Sequence, residues 1–276
     1  MTINLSAALA GTVVLGDLTV HRMGLGTNRI TDTEAAHIVL RRAVELGINF
    51  IDTADLYQHT VSEETIGKTL APYPEGLIIA TKGGMSLVDS STINDPEYLR
   101  KAVEGSLKRL RISRIDLYQL HRVDPNIPIE DTVGVLKKMQ DEGKIRHVGL
   151  SEVTAEQIER AQSVTEIVSV QNQYNITERK HETALEYCEE NGIAFIPWYP
   201  IAKGKPNNEI LSKIADHHNA SPVQIALAWL LRRSPVMLPI PGTLSTQHLE
   251  SNIAAARIKL SDEEFEEIGK IATVHH

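Results

Sequence analysis

Four ionisable side chains of this chain close short apolar runs, and their types together describe a proton-transfer site. The stretch Asn49-Phe50-Ile51-Asp52-Thr53-Ala54-Asp55-Leu56-Tyr57 supplies an aspartate and a tyrosine. Ile79-Ala80-Thr81-Lys82 supplies a lysine, and Leu117-Tyr118-Gln119-Leu120-His121-Arg122 a histidine. A tyrosine, with an ordinary pKa near about 10, is a poor acid at neutral pH. A lysine ammonium close by favours the phenolate and lowers that value, and a carboxylate partner keeps the lysine charged and in place. Tyr57 is therefore expected to donate a proton to a carbonyl oxygen, with Lys82 and Asp52 tuning it. A neutral His121 would orient the carbonyl by a hydrogen bond to the same oxygen. None of the four is a hydride source, so a carbonyl reduction here needs a nicotinamide cofactor. Singly each reads as well as a rim residue; together at successive strand ends they favour chemistry.

Such residues need elements that bring them to one mouth. Short β-branched runs alternate with amphipathic segments, the signature of strand-helix units. Strands are expected near Met23–Gly26, Asn49–Ile51, Leu77–Thr81, Asp116–Leu120, Ile145–Leu150, Ile167–Gln171, Ala194–Trp198 and Val236–Ile240, eight in all. Helix starts are marked by capping-box spacing at Thr31/Glu34, Thr154/Gln157 and Ser261/Glu264, and by Ser221 ahead of Pro222. Residues 96–111, 129–142 and 180–191 carry apolar positions at helical spacing. Ahead of the first unit, Gly11 to His21 alternates and breaks at Gly16-Asp17, as a hairpin closing a barrel bottom would. The sum is an α/β (β/α)8 TIM barrel with an N-terminal β-hairpin, residues 1–274 forming one domain. A doubly wound sheet is the runner-up, but Gly24-Leu25-Gly26 lacks the third glycine of the dinucleotide fingerprint. In a barrel the chemistry sits at the C-terminal strand ends.

Composition narrows the partners. Of 276 residues, 42% are hydrophobic and 23% charged, enough apolar surface for a sizeable core. With 28 Lys and Arg against 36 Asp and Glu, the net charge of −8 argues against nucleic acid and against a polybasic membrane binder. The single cysteine, Cys188, fits a reducing compartment and leaves no cysteine-based metal site. The longest apolar run, Ile225 to Leu231, is far short of a membrane span, and no basic leader precedes Ala8-Leu9-Ala10. A cytoplasmic location is expected, with His275 and His276 set aside as a tag remnant. His21, His37 and His181 lack partners at ligand spacing, His217-His218 read as solvated, and no metal site is expected.

At this point the sequence resembles the aldo-keto reductases, bacterial-type and similar to aldehyde and pyridoxal reductases, over nearly its whole length. The likeness rests on residues 49–57, Ala80-Thr81-Lys82, Asp116 to His121, and Gly143-Lys144-Ile145-Arg146-His147-Val148-Gly149-Leu150-Ser151. It implies a barrel that binds a reduced nicotinamide dinucleotide, with Asp52, Tyr57, Lys82 and His121 as the family's catalytic tetrad. Gly26, Thr27 and Asn28 then lie near the nicotinamide ribose, Asp52 also at the cofactor, and Ser151 and Gln171 at the carboxamide. Glu152 stands where the family usually has asparagine and transfers only weakly. In Trp198-Tyr199-Pro200-Ile201, Trp198 takes the place of the stacking tyrosine and Tyr199 that of a serine. Lys203 and Gly204, with Lys205, follow as candidates on the cofactor side, and Gly242, Thr243, Ser245, His248 and Asn252 would serve the adenosine phosphate and adenine.

Gly242 and His248 replace a lysine and an arginine that many relatives use for the 2′-phosphate. NADPH (NADP+) is the expected cofactor on resemblance, and NADH stays open. The substrate would be a small carbonyl compound; a short loop from Arg122 to Ile129 and little chain after Ser261 suggest an open pocket. A monomer or weak oligomer is expected. Two readings compete with reduction: a NADPH-binding regulatory or sensor subunit with little turnover, and a Schiff-base lyase using Lys82 as the amine.

Overall fold

The computed structural model describes residues 5–201 and 209–271. After a 3-10 turn at Ala7–Ala10 comes the expected hairpin, β1 (Thr12–Leu15) antiparallel to β2 (Leu18–His21), Leu15 facing Leu18 across Gly16-Asp17. Val13, Leu15, Leu18 and Val20 point into the core, which is why the strands alternate. Gly16 lies at φ +63 directly against the His147 ring, and Asp17 is held by Arg146 and, at 2.6 Å, by His147. The hairpin thus plugs the N-terminal end of the strands that follow.

Those strands are β3 (Leu25–Gly26), β4 (Phe50–Asp52), β5 (Ile78–Gly83), β6 (Ile115–Leu120), β7 (Ile145–Ser151), β8 (Ile167–Gln171) and β9 (Ala194–Phe195), each parallel to the next. Sequential order excludes the doubly wound alternative. The eighth expected strand, Val236–Ile240, does not form as a strand. Pro239 interrupts it and Pro235 and Pro241 flank it, and a proline has no N–H to give to a ladder. The segment still closes the barrel: Phe195 N donates to Val236 O (2.9 Å), Leu238 N to Phe195 O (2.8 Å), and Gly24 N to Pro239 O (3.0 Å). Pro197 likewise ends β9 at Phe195, and beyond it Trp198 only bridges Gln173.

The helices are α1 (Glu34–Glu45), α2 (Val61–Leu70), α3 (Pro96–Leu110), α4 (Ile129–Asp141), α5 (Ala155–Gln162), α6 (Glu182–Asn191), α7 (Glu209–His217), α8 (Pro222–Arg233), α9 (Thr246–Ala254) and α10 (Asp262–Gly269). Val103, Leu136, Ile158, Leu185 and Leu227 pack from the helices onto Leu117, Val148, Val170 and Phe195 of the barrel. Capping boxes form at Thr154, Ser221 and Ser261 as their spacing predicts. For α1 the cap is Thr33, not Thr31: its hydroxyl accepts from Ala36 N. His217 and His218 are not simply solvated; both reach the Glu264 carboxylate, at 2.8 and 3.0 Å, and tie α7 to α10. Among the described residues no helix is long and apolar enough to cross a membrane.

Candidate active site

Inside a parallel barrel alternate strand residues face the axis. Here that set includes Ala80 and Lys82 on β5, Gln119 on β6, Gly149 and Ser151 on β7, and Ser169 and Gln171 on β8. Gly149 leaves the room it must: a Cβ there would stand 2.2 Å from Ser169 Oγ. At the C-terminal ends of these strands opens a cavity of about 270 Å³, lined by residues from every quarter of the barrel mouth.

At its floor, Lys82 Nζ donates to both Asp52 oxygens (2.7 and 2.8 Å) and to Thr53 O (2.8 Å), lysine and aspartate both buried. Asp52 Oδ1 also accepts from Gln171 Nε2 (2.8 Å) and Gln119 Nε2 (3.3 Å), so this oxygen receives three donors. Burial alone would discharge Lys82, but Asp52 and Tyr57 more than offset it and hold its pKa above the ordinary lysine value. The amine stays charged, which removes the basis for a Schiff-base nucleophile.

Tyr57 lines the cavity, with Lys82 Nζ 4.9 Å from its ring centre and the His121 ring 6.1 Å away, edge-on. Burial, the largest influence, pushes the phenol above its ordinary pKa; Lys82 pulls it down, and Asp52 adds to the rise. This corrects the expected net lowering: the lysine acts in the expected direction but burial outweighs it. Tyr57 therefore remains protonated across the neutral range. Three successive left-handed residues, Gln58, His59 and Thr60, carry the chain from it into α2.

His121 is buried against the cavity and held well below its ordinary pKa, first by burial and then by Lys82 and Arg122, so it is neutral as expected. Its Nδ1 is enclosed without a partner. An unpaired acceptor costs less than an unpaired N–H, which assigns the ring proton to Nε2.

Gly26, Thr27, Asn28, Ser151, Gln171, Trp198, Tyr199, Pro200, Ile201 and Gly242 line the same cavity. Gly26 and Gly242 allow the barrel seam to close: a Cβ on either would lie 2.6–2.7 Å from the other side's backbone oxygen. The structure does not bring Thr243, His248 and Asn252 to the cavity wall; they belong to the turn and helix beyond it, where Thr243 Oγ1 accepts from Ser245 N (3.0 Å). Lys203, Gly204 and Lys205 lie outside the described residues.

Glu152 holds the indole of Trp198. Trp198 Nε1 and Gln173 N both donate to Glu152 Oε1 at 2.7 Å, while Lys180 and His181 sit at 3.4 and 3.3 Å from Oε2. Burial opposes the charge on Glu152, yet His181, Gln173 N and Trp198 bring its pKa down to about 2. Sequence reasoning assigned no role to Arg29, Arg122, Ile240 and Pro241, which also line the cavity, or to Gln119 beneath it. Arg122 was signalled only by following His121.

The donor set fits a nicotinamide. Trp198 offers an aromatic wall, and Ser151 Oγ has its own proton to give. Gln171, with its amide N–H on Asp52, keeps Oε1 to accept from a carboxamide. A model of the aldo/keto reductase family matches residues 20–273. The chain is 50% identical over 274 residues to an uncharacterized oxidoreductase of Schizosaccharomyces pombe, covering 94% of this chain and 89% of that one. It is 38% identical to the pyridoxine 4-dehydrogenase of Escherichia coli, covering 92% and 96%. The structure resembles the glycerol dehydrogenase of Gluconobacter oxydans with TM-score 0.87 at 27% identity, covering 96% of each chain. An aldo-keto reductase of Klebsiella pneumoniae crystallised with NADPH superposes with TM-score 0.83 at 26% identity, covering 95% and 94%.

Proposed function

The chain belongs to the aldo/keto reductase family of oxidoreductases, and on that premise we propose that it reduces aldehydes and ketones to alcohols with NADPH. The observation that carries the reading is one cavity lined by Tyr57, His121 and Asp52, with the buried Lys82 paired to Asp52 behind it. When bound, the dinucleotide supplies a hydride to the carbonyl carbon. Trp198, Ser151 and Gln171 hold its nicotinamide ring and carboxamide.

Negative charge then develops on the carbonyl oxygen, and the chain's own groups answer it. His121 donates an N–H to that oxygen and orients the carbonyl; being neutral, it adds no competing charge. Tyr57 gives its phenolic proton to the same oxygen. A raised pKa suits that task, because the donor is loaded at neutral pH and an alkoxide is a far stronger base than a phenolate. The phenolate left behind is steadied by the Lys82 ammonium, which Asp52 keeps charged.

The test is a panel of aldehydes, pyridoxal included because a relative is a pyridoxine 4-dehydrogenase, followed at the reduced-cofactor absorbance. Tyr57→Phe is expected to slow turnover about a hundredfold to ten-thousandfold while leaving NADPH binding nearly intact. A variant that keeps most of its rate removes Tyr57 from the acid role. Titrating tryptophan emission with NADPH and NADH separately sets the cofactor preference.

A further inference from the structure

Arg122 is a charge without a counter-charge in the wall of the cavity. Its Nη1 donates to His121 O (2.6 Å) and to Ser151 Oγ (3.1 Å), which fixes the plane of the guanidinium beside the catalytic histidine. Among the described residues neither Nε nor Nη2 has a hydrogen-bond partner, and no carboxylate lies within ion-pair distance of the group. Glu152, whose charge acts on it, is committed to Trp198, Gln173, Lys180 and His181. The guanidinium carbon lies 5.9 Å from the centre of the Trp198 ring, and burial lowers the group's pKa against the opposing pull of Glu152 and Tyr57.

Among the described residues the rest of the lining does not supply a counter-charge. Asp52, the cavity's own carboxylate, is saturated by Lys82 and the two glutamines, and the remaining charged lining residue is a second arginine, Arg29. In a chain of net charge −8, this mouth is positive. The free Nε–Nη2 edge presents two parallel N–H donors, the fork that a carboxylate accepts side-on. Arg122 is also near enough to Tyr57 for each to shift the other's charge state, so an anion on this edge would lie within a small molecule's length of the phenol.

We propose that Arg122 reads the substrate, and that the preferred substrates are aldehydes bearing a carboxylate, seated on the Nε–Nη2 edge while the carbonyl faces Tyr57 and His121. This rests on the reductase reading above. The experiment compares para-carboxybenzaldehyde with para-methylbenzaldehyde, near in shape and different in charge, for the wild-type protein, Arg122→Leu and Arg122→Lys. Wild type is expected to favour the carboxylated aldehyde by about tenfold or more in kcat/KM, chiefly through KM. Arg122→Leu should bring the ratio of the two substrates to near one, whatever it does to their common rate, and Arg122→Lys should keep part of the preference. In the cofactor-free protein, the carboxylated alcohol product should alter Trp198 emission and its uncharged analogue should not.

A wild-type ratio near one overturns the proposal while leaving the reductase reading standing. An Arg122→Leu variant that weakens NADPH binding and slows both aldehydes alike overturns it too, by assigning the arginine to the cofactor. Failure to reduce either aldehyde while others of the panel are turned over overturns this proposal alone; no turnover across the whole panel removes the reductase reading with it.

Discussion

Glu152 and Trp198 are two of the positions at which this chain departs from the residues its family resemblance leads one to expect, and they touch. The carboxylate that replaces an asparagine accepts the N–H of the indole that replaces a tyrosine, at 2.7 Å. One departure therefore supports the other, since a half-buried indole N–H needs an acceptor and Glu152 supplies it. Glu152→Ala is expected to free the ring and raise the Kd for NADPH about tenfold, the worth of one charge-assisted hydrogen bond. Glu152→Gln keeps an acceptor and should stay near wild type. Quenching of tryptophan emission by NADPH measures both, and an alanine variant with unchanged Kd would detach Trp198 from the cofactor. Sequence alone reached Asp52 and Lys82 because each closes an apolar run at a strand end, whereas Ser151 and Gln171 were suggested only by resemblance to the family. It could not reach the Glu152–Trp198 bond, which joins residues 46 apart on different loops. Nor could it tell Arg122 from an ordinary surface cation.

At the scale of elements, the least regular part of the barrel is its seam, and a side chain from the hairpin's edge compensates. Arg22, next after β2, donates from Nε to Met237 O (3.0 Å) and from Nη2 to Leu231 O (2.6 Å) and Ser234 O. These carbonyls belong to the end of α8 and to the proline-interrupted segment that stands for an eighth strand. A segment short of N–H donors has surplus carbonyls, and the guanidinium covers them where a ladder would otherwise do so. Arg22→Ala should lower unfolding free energy by about 2–4 kcal/mol in urea titrations, with Arg22→Lys intermediate. A loss below about 0.5 kcal/mol would show that water replaces the clamp. The hairpin, the helix caps at Thr154, Ser221 and Ser261, and seven of the strands were legible because each is specified by local pattern. The eighth was misread because its apolar run looks like a strand until its prolines are weighed against the ladder.

Over the whole molecule the barrel divides its labour: the hairpin end is closed by packing, and the opposite end gathers charge. Under that end lies a buried group of two carboxylates and one guanidinium. Glu63, fully enclosed, takes Arg109 Nε at 2.7 Å and the Thr81 hydroxyl. Asp55, 2% exposed, has no counter-charge of its own and leaves Oδ1 unpartnered. Burial first, then the charge of Glu63, raise its pKa from 3.8 to about 7, with Arg109 pulling back. The unfolded chain releases this proton near its ordinary value, and the native protein keeps it to about 7. Between those values the native state binds more protons than the unfolded one, so stability falls as pH rises through the window and levels above it. The full shift corresponds to no more than about 4 kcal/mol. Asp55→Asn removes the ionisation, so it should raise the melting temperature near pH 8 by several degrees and change it little near pH 4. Asp55 N donates to Lys82 O at 3.0 Å, so Asp55 is tied to the strand that carries Lys82 and sits in the segment between Asp52 and Tyr57. The asparagine variant should therefore also lose activity less steeply than wild type on the alkaline side. Equal melting-temperature gains at both pH values would mean that Asp55 does not titrate in this window, and that the buried group is neutralised some other way.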